Sequence, residues 1–104
     1  MAVRRHSLIE RAATLSLLHQ CEPELQRRVG VLRLALFGSR ARDDAREGSN
    51  ADVLVAFDGP ADSRRYFGLQ FYLEDLLGCP VDLVTEQALR PQFRPFIERD
   101  AIRV

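Results

Sequence analysis

The chain has 104 residues, enough for one domain with its own core and too few for a second. Fifteen Lys+Arg and fifteen Asp+Glu cancel, so the basic excess of a general nucleic-acid binder is missing and no direct nucleic-acid partner is expected. All the basic residues are arginine; without lysine, a P-loop phosphate site and Schiff-base chemistry are excluded.

The first residues, Met1-Ala2-Val3-Arg4-Arg5-His6, do not lead into a continuous apolar run, so no signal peptide is expected. No apolar stretch is long enough to cross a bilayer, and a cytoplasmic protein with no membrane contact is expected. Ser7 and Glu10 form a capping-box pattern for a first helix. Its apolar stripe, Leu8, Ala12, Leu15 and Leu18, runs to about Gln20. Pro23 suits the first turn of a second short helix ending near Gly30. Cys21 and Cys79 lie far apart without CxxC spacing and predict plain thiols. His6 and His19 have no metal-ligand spacing either.

Val31 to Phe37 reads as a strand, residues 39 to about 46 as a brief helix, and Ala51 to Phe57 as a second strand. Asp58-Gly59-Pro60 is a turn, and Asp62 or Ser63 can cap the next helix. Tyr66, Leu69, Leu73, Leu76 and Leu77 give that helix a buried stripe, and Gly78 stops it. Phe67 and Phe71 lie off this line; they predict either a wide buried face or a patch for a partner. Pro80 opens a third strand, Val81-Asp82-Leu83-Val84, followed by one helical turn at residues 86–89. A last short helix runs from Pro91 to about Asp100, with Phe93, Phe96 and Ile97 on one side. Ile102-Arg103-Val104 is a short strand or a frayed tail. The predicted order is α-α-β-α-β-α-β-α in a single domain, residues 1–104.

Three places carry chemistry. Gly38-Ser39 ends a strand and opens a helix; it is either a helix cap or a place for an anion, where free N–H groups and a hydroxyl meet. Asn50 and Asp52 are two apart, so they share a face if the strand begins by Asn50. Asp82 stands inside an apolar strand, where a carboxylate costs several kcal/mol unless it is paired, hydrated or metal-bound.

With its motifs Phe37-Gly38-Ser39-Arg40-Ala41-Arg42, Ser49-Asn50-Ala51-Asp52-Val53-Leu54-Val55 and Leu76-Leu77-Gly78-Cys79-Pro80-Val81-Asp82-Leu83-Val84-Thr85, the chain resembles the minimal nucleotidyltransferase family of the DNA polymerase β superfamily. The resemblance runs from about Val31 to the end. It implies an α+β fold of polymerase β type: a small mixed sheet with helices packed on it, and a β-α-β-α-β core after N-terminal helices. It also implies ATP and magnesium, and in many members an antitoxin role beside a HEPN-domain ribonuclease toxin, to which AMP is transferred on a tyrosine. By resemblance Asp52 and Asp82 would be catalytic and hold metal, with Asp82 helping to deprotonate the attacking hydroxyl. Gly38 and Ser39 would cradle the β/γ-phosphates, and Arg40 or Arg42 would add charge there.

The chain departs from the family pattern in two places. Asn50 stands where the first acidic residue of the Asp-x-Asp pair belongs, so one metal-binding position holds a neutral amide. Asp43-Asp44 occupy the region where the family usually has glycine, and Asp43, Asp44 or Glu47 are either substitute carboxylates or a solvated acidic loop. Two functions follow from the resemblance: a nucleotidyltransferase antitoxin whose activity Asn50 reduces, or a degenerate module that neutralises its toxin by binding alone. The Phe67/Phe71 pair leaves a second copy of the chain or a HEPN toxin as the partner.

Overall fold

The structure is a computed structural model and describes residues 11–43 and 50–104. The expected cap at Ser7 and Glu10, Leu8, and the acidic positions Asp44 and Glu47 lie outside the described residues.

Helix α1 spans Arg11–Arg28 without a break and contains Pro23, so the two expected N-terminal helices are one. Pro23 removes a single backbone bond. Against that loss, Thr14, Leu18, Cys21 and Leu25 form one buried stripe at helical spacing across the proline, and its burial keeps the helix whole. The stripe is rotated from expectation: Ala12 is exposed and Leu15 half-buried.

Strands β1 (Val31–Phe37), β2 (Ala51–Phe57), β3 (Val81–Thr85) and β4 (Ile102–Arg103) form one mixed sheet in the order β3-β2-β1-β4. β1 is antiparallel to both β2 and β4, whereas β2 and β3 are parallel, joined through helix α3 (Ser63–Leu77). The C-terminal segment is therefore a strand, with Leu36 opposite Ile102.

Alternation of side chains gives the sheet two unlike faces. Val31, Leu34, Leu36, Val53, Val55, Val81 and Leu83 meet Leu18 and Leu25 of α1 and Leu69, Leu73 and Leu77 of α3 in the core. The other face carries Ala35, Leu54 and Ala56, and with them Asp52 and Asp82. The short helices α2 (Gly38–Arg42) and α4 (Arg94–Asp100) are tied together by the Arg42–Asp100 ion pair at 3.1 Å. A cavity of about 350 Å³ on the second face is lined by Arg33, Ala35, Leu54, Glu86, Arg94 and Arg103.

Helix α3 begins at the Asp62 cap, whose side chain accepts the Arg65 N–H at 2.8 Å. Three of its side chains at i, i+4 and i+8 serve the free edge of β3. Tyr66 Oη donates to the Leu83 carbonyl at 2.6 Å, Gln70 Nε2 donates to the Val81 carbonyl at 3.0 Å, and Glu74 Oε2 accepts the Val81 N–H at 3.0 Å. An edge strand so occupied offers no row of unpaired groups to another chain. The half-buried Tyr66 thus has a polar task, while Phe67 and Phe71 stack on each other, 49% and 63% exposed. The buried face does not widen to include Phe67 and Phe71: α3 buries Leu69, Leu73 and Leu77 and packs Tyr66, Tyr72 and Leu76 partly against the core. Phe93 and Phe96, at the start of α4 and within it, are exposed as well. No helix among the described residues is long and apolar enough to cross a membrane.

Candidate functional site

The site is built where β1 ends, β2 begins and β3 begins. In the antiparallel pair Phe37 lies opposite Asp52, and in the parallel pair Asp52 lies opposite Asp82. Three segments distant in sequence therefore bring Gly38, Asp52 and Asp82 together.

Gly38 has φ +74°, in the left-handed region that side chains avoid. Its missing side chain also makes room: a Cβ at Gly38 would collide with Asp52 Oδ2 and lie 3.1 Å from Asp52 Cγ. The turn thus lets the backbone at the start of α2 lie against the carboxylate. The N-cap of α2 is Phe37, which makes no side-chain capping bond. Ser39 sits in the first turn, half-buried, with its hydroxyl making no hydrogen bond among the described residues. Helix capping therefore does not account for Ser39.

Asp52 is half-buried and lies opposite Asp82 in the parallel pair. Its carboxyl pKa is raised to about 6, first by burial and next by the charge of Asp82; Arg42 and Arg40 pull in the opposite direction. Two neighbouring acids, one desolvated, resist ionising together. A divalent cation with hard oxygen ligands would relieve this strain, so the donor set fits magnesium. Asn50, exposed just before β2, donates from Nδ2 to Asp82 Oδ2 at 3.1 Å. The row across the strand ends is Asn50, Asp82, Asp52.

Arg40 is buried at 2% exposure, so it reaches the site by its charge beside Asp52 and not as an exposed phosphate ligand. Arg42 is exposed and paired to Asp100. Asp43 is exposed and ends α2 with φ +65°, the left-handed cap position at which the family pattern has glycine. Among the described residues no group of three or more His, Cys, Asp or Glu side chains is placed to hold a metal ion, so Asp43 does not complete the Asp52–Asp82 pair.

Sequence reasoning missed the side chains that hold the surroundings in place. Arg33 forms a two-point ion pair with Glu86, at 2.8 and 3.3 Å, that holds the turn after β3 against β1 and lowers the Glu86 pKa. Arg11 Nη1 donates to the Ala41 carbonyl at 3.2 Å, joining α1 to α2. Neither pair has a spacing signal, since the partners are joined only by the fold.

The profile of the nucleotidyltransferase domain family matches residues 18–104. Protein adenylyltransferase MntA of Thermococcus cleftensis is 36% identical over 89 residues, covering 86% of this chain and 90% of that protein. A solved structure described as "Structure of putative minimal nucleotidyltransferase" has 37% identity and a TM-score of 0.73, covering 94% of this chain and 99% of that one. The fold is also shared, at 18% identity and TM-score 0.57, with a structure of a tri-AMPylated Shewanella oneidensis HEPN toxin in complex with MNT antitoxin; 89% of this chain and 66% of that one are covered.

Proposed function

Because this chain belongs to the minimal nucleotidyltransferase family, we propose that it transfers AMP from ATP to a hydroxyl, on a tyrosine of a partner HEPN toxin, and acts as that toxin's antitoxin in the cytoplasm. The observation that carries this reading is the in-register pairing of Asp52 with Asp82 against the Gly38 turn.

The chemistry is an in-line displacement at the α-phosphorus of ATP: the acceptor oxygen–phosphorus bond forms, the bond to the bridging oxygen breaks, and pyrophosphate leaves. Magnesium, when bound, supplies positive charge that stabilises the attacking and leaving oxygens. Asp52 and Asp82 would hold it, while Asn50, at the third position of the pattern, adds no charge and turns its N–H toward Asp82. Asp82, exposed at the strand end, takes the proton of the attacking hydroxyl. The N–H groups at Gly38 and Ser39, with the free Ser39 hydroxyl, cradle the β/γ-phosphates. Arg40 and Arg42 add positive charge beside Asp52.

The support for ATP and AMP transfer is the Thermococcus relative, named a protein adenylyltransferase. The support for a HEPN partner is the shared fold with an antitoxin solved in complex with an AMPylated toxin. Asn50 favours a second reading, neutralisation by complex formation alone, because its amide occupies Asp82 and withholds a charge. Growth rescue separates the two. Wild type co-expressed with the toxin restores growth; an Asp52→Ala, Asp82→Ala double variant that still co-purifies with the toxin does not. Rescue by that double variant would establish the second reading instead.

A further inference from the structure

We infer that Asn50 sets this site to take one divalent cation per bound nucleotide, where in-line nucleotidyl transfer commonly employs two. The inference rests on the nucleotidyltransferase reading above and specifies its metal chemistry.

Two features carry it. The first is the direction of the Asn50 hydrogen bond. Nδ2 points at Asp82 Oδ2, so the single amide oxygen points away from the carboxylate pair. Turning that oxygen inward as a ligand gives up the bond to Asp82 and sets two acceptors side by side. A carboxylate at this position would have two charged oxygens and could join two cations; an amide offers one neutral oxygen, a poor bridge between them. The second feature is the charge count. Asp52 and Asp82 are the two carboxylates on the strand ends, and no third acidic side chain among the described residues joins them. Their two negative charges match one divalent cation, and magnesium is commonly held by one or two carboxylates plus substrate phosphates.

Asn50 therefore acts as a neutral clamp. It holds Asp82 in place across the β2/β3 junction and presents an N–H donor, not a second charge, to that carboxylate. The cation that remains is the one that Asp52 and Asp82 share with the phosphates.

Manganese is the probe, with a non-hydrolysable ATP analogue at saturation. Equilibrium dialysis gives manganese bound per protein-bound analogue, and electron paramagnetic resonance tells an isolated manganese from a spin-coupled pair. Wild type is expected to hold one manganese per analogue with an uncoupled spectrum, and Asn50→Asp to hold two with a coupled spectrum. Asn50→Ala, which removes the clamp without adding charge, is expected to remain at one, with weaker retention. Two coupled ions in wild type, or one in Asn50→Asp while it still binds the analogue, would overturn the inference and leave the nucleotidyltransferase reading standing. Failure of both proteins to bind the analogue at all would overturn both. Thermal melting of each variant confirms that a folded chain is being compared.

Discussion

Gly38 and Asp52 occupy one space between them: the carboxylate of Asp52 fills the volume that any side chain at position 38 would need. The turn and the acid are thus a single unit, although thirteen residues of chain separate them. Gly38→Ala should fail twice. The left-handed backbone costs about 1–2 kcal/mol for a residue with a Cβ, and the methyl group pushes the Asp52 carboxyl out of the site. A lower melting temperature and loss of ATP–magnesium stabilisation are expected in a thermal-shift titration. Gly68→Ala is the contrasting variant. A Cβ there meets nothing within 4 Å and sits in the interior of α3, so it should stabilise by about 0.5–1 kcal/mol and leave ligand binding intact.

The raised carboxyl of Asp52 predicts a pH dependence with a definite sign. Its folded pKa of about 6 lies above the ordinary 3.8, so the folded state holds the proton more tightly than the unfolded chain. The stability this provides is fully present below pH 3.8 and is lost as pH rises through about 6. Metal-free protein should therefore lose stability from this group between those values, modestly because Asp52 is only half-buried. Magnesium has the opposite requirement. Its affinity should fall by about tenfold per pH unit below about 6, with one proton released on binding. Calorimetric titration in buffers of different ionisation enthalpy measures both; an affinity flat from pH 5 to 8 would contradict the assigned ligand.

Asp43 ends α2 in a conformation that suits glycine, φ +65°. Asp43→Gly should raise stability by about 0.5–1 kcal/mol, seen as a higher urea midpoint at unchanged m-value. The carboxylate of Asp43 is not part of the Asp52–Asp82 pair, so adenylyl transfer should be unaffected.

Restoring the missing charge should act on rate. Asn50→Asp is expected to raise adenylyl transfer by about a hundredfold, read as label moved from ATP to the partner under single-turnover conditions. A variant no faster than wild type, yet able to hold two metal ions, would show that the charge at position 50 does not limit the reaction.

Tyr66→Phe tests the edge of the sheet separately from the site. It leaves the Leu83 carbonyl without its partner, at a cost of about 1–2 kcal/mol. The melting temperature should drop while ATP–magnesium binding to the folded protein is unchanged.

The elements carrying the site were legible in the chain. The bounds of β1, β2 and α3 follow from apolar runs closed by Gly38, by Asp58-Gly59-Pro60 and by Gly78, because strand and helix ends are local chemistry. The convergence of Gly38, Asp52 and Asp82 was legible only through the motif resemblance. Nothing local says that β2 and β3 are parallel and in register, or that Asn50 turns its nitrogen toward Asp82. Pro23 misled because a local breaker was weighed without the buried stripe from Leu18 to Leu25 that runs past it. The choice left open at Phe67 and Phe71 could not be made from the chain for a related reason: the polar bonds of Tyr66, Gln70 and Glu74 to β3 fix how α3 is turned, and they leave the phenylalanines outside.

The central claim is that the Asp52–Asp82 pair transfers AMP to a partner protein. Intact-mass spectrometry of a HEPN partner incubated with this chain, ATP and magnesium tests it most directly. A partner heavier by one or more adenylyl groups is expected with wild type, more so with Asn50→Asp, and an unmodified partner with the Asp52→Ala, Asp82→Ala double variant. A partner of unchanged mass with both wild type and Asn50→Asp, each shown to bind ATP and the partner, would contradict it.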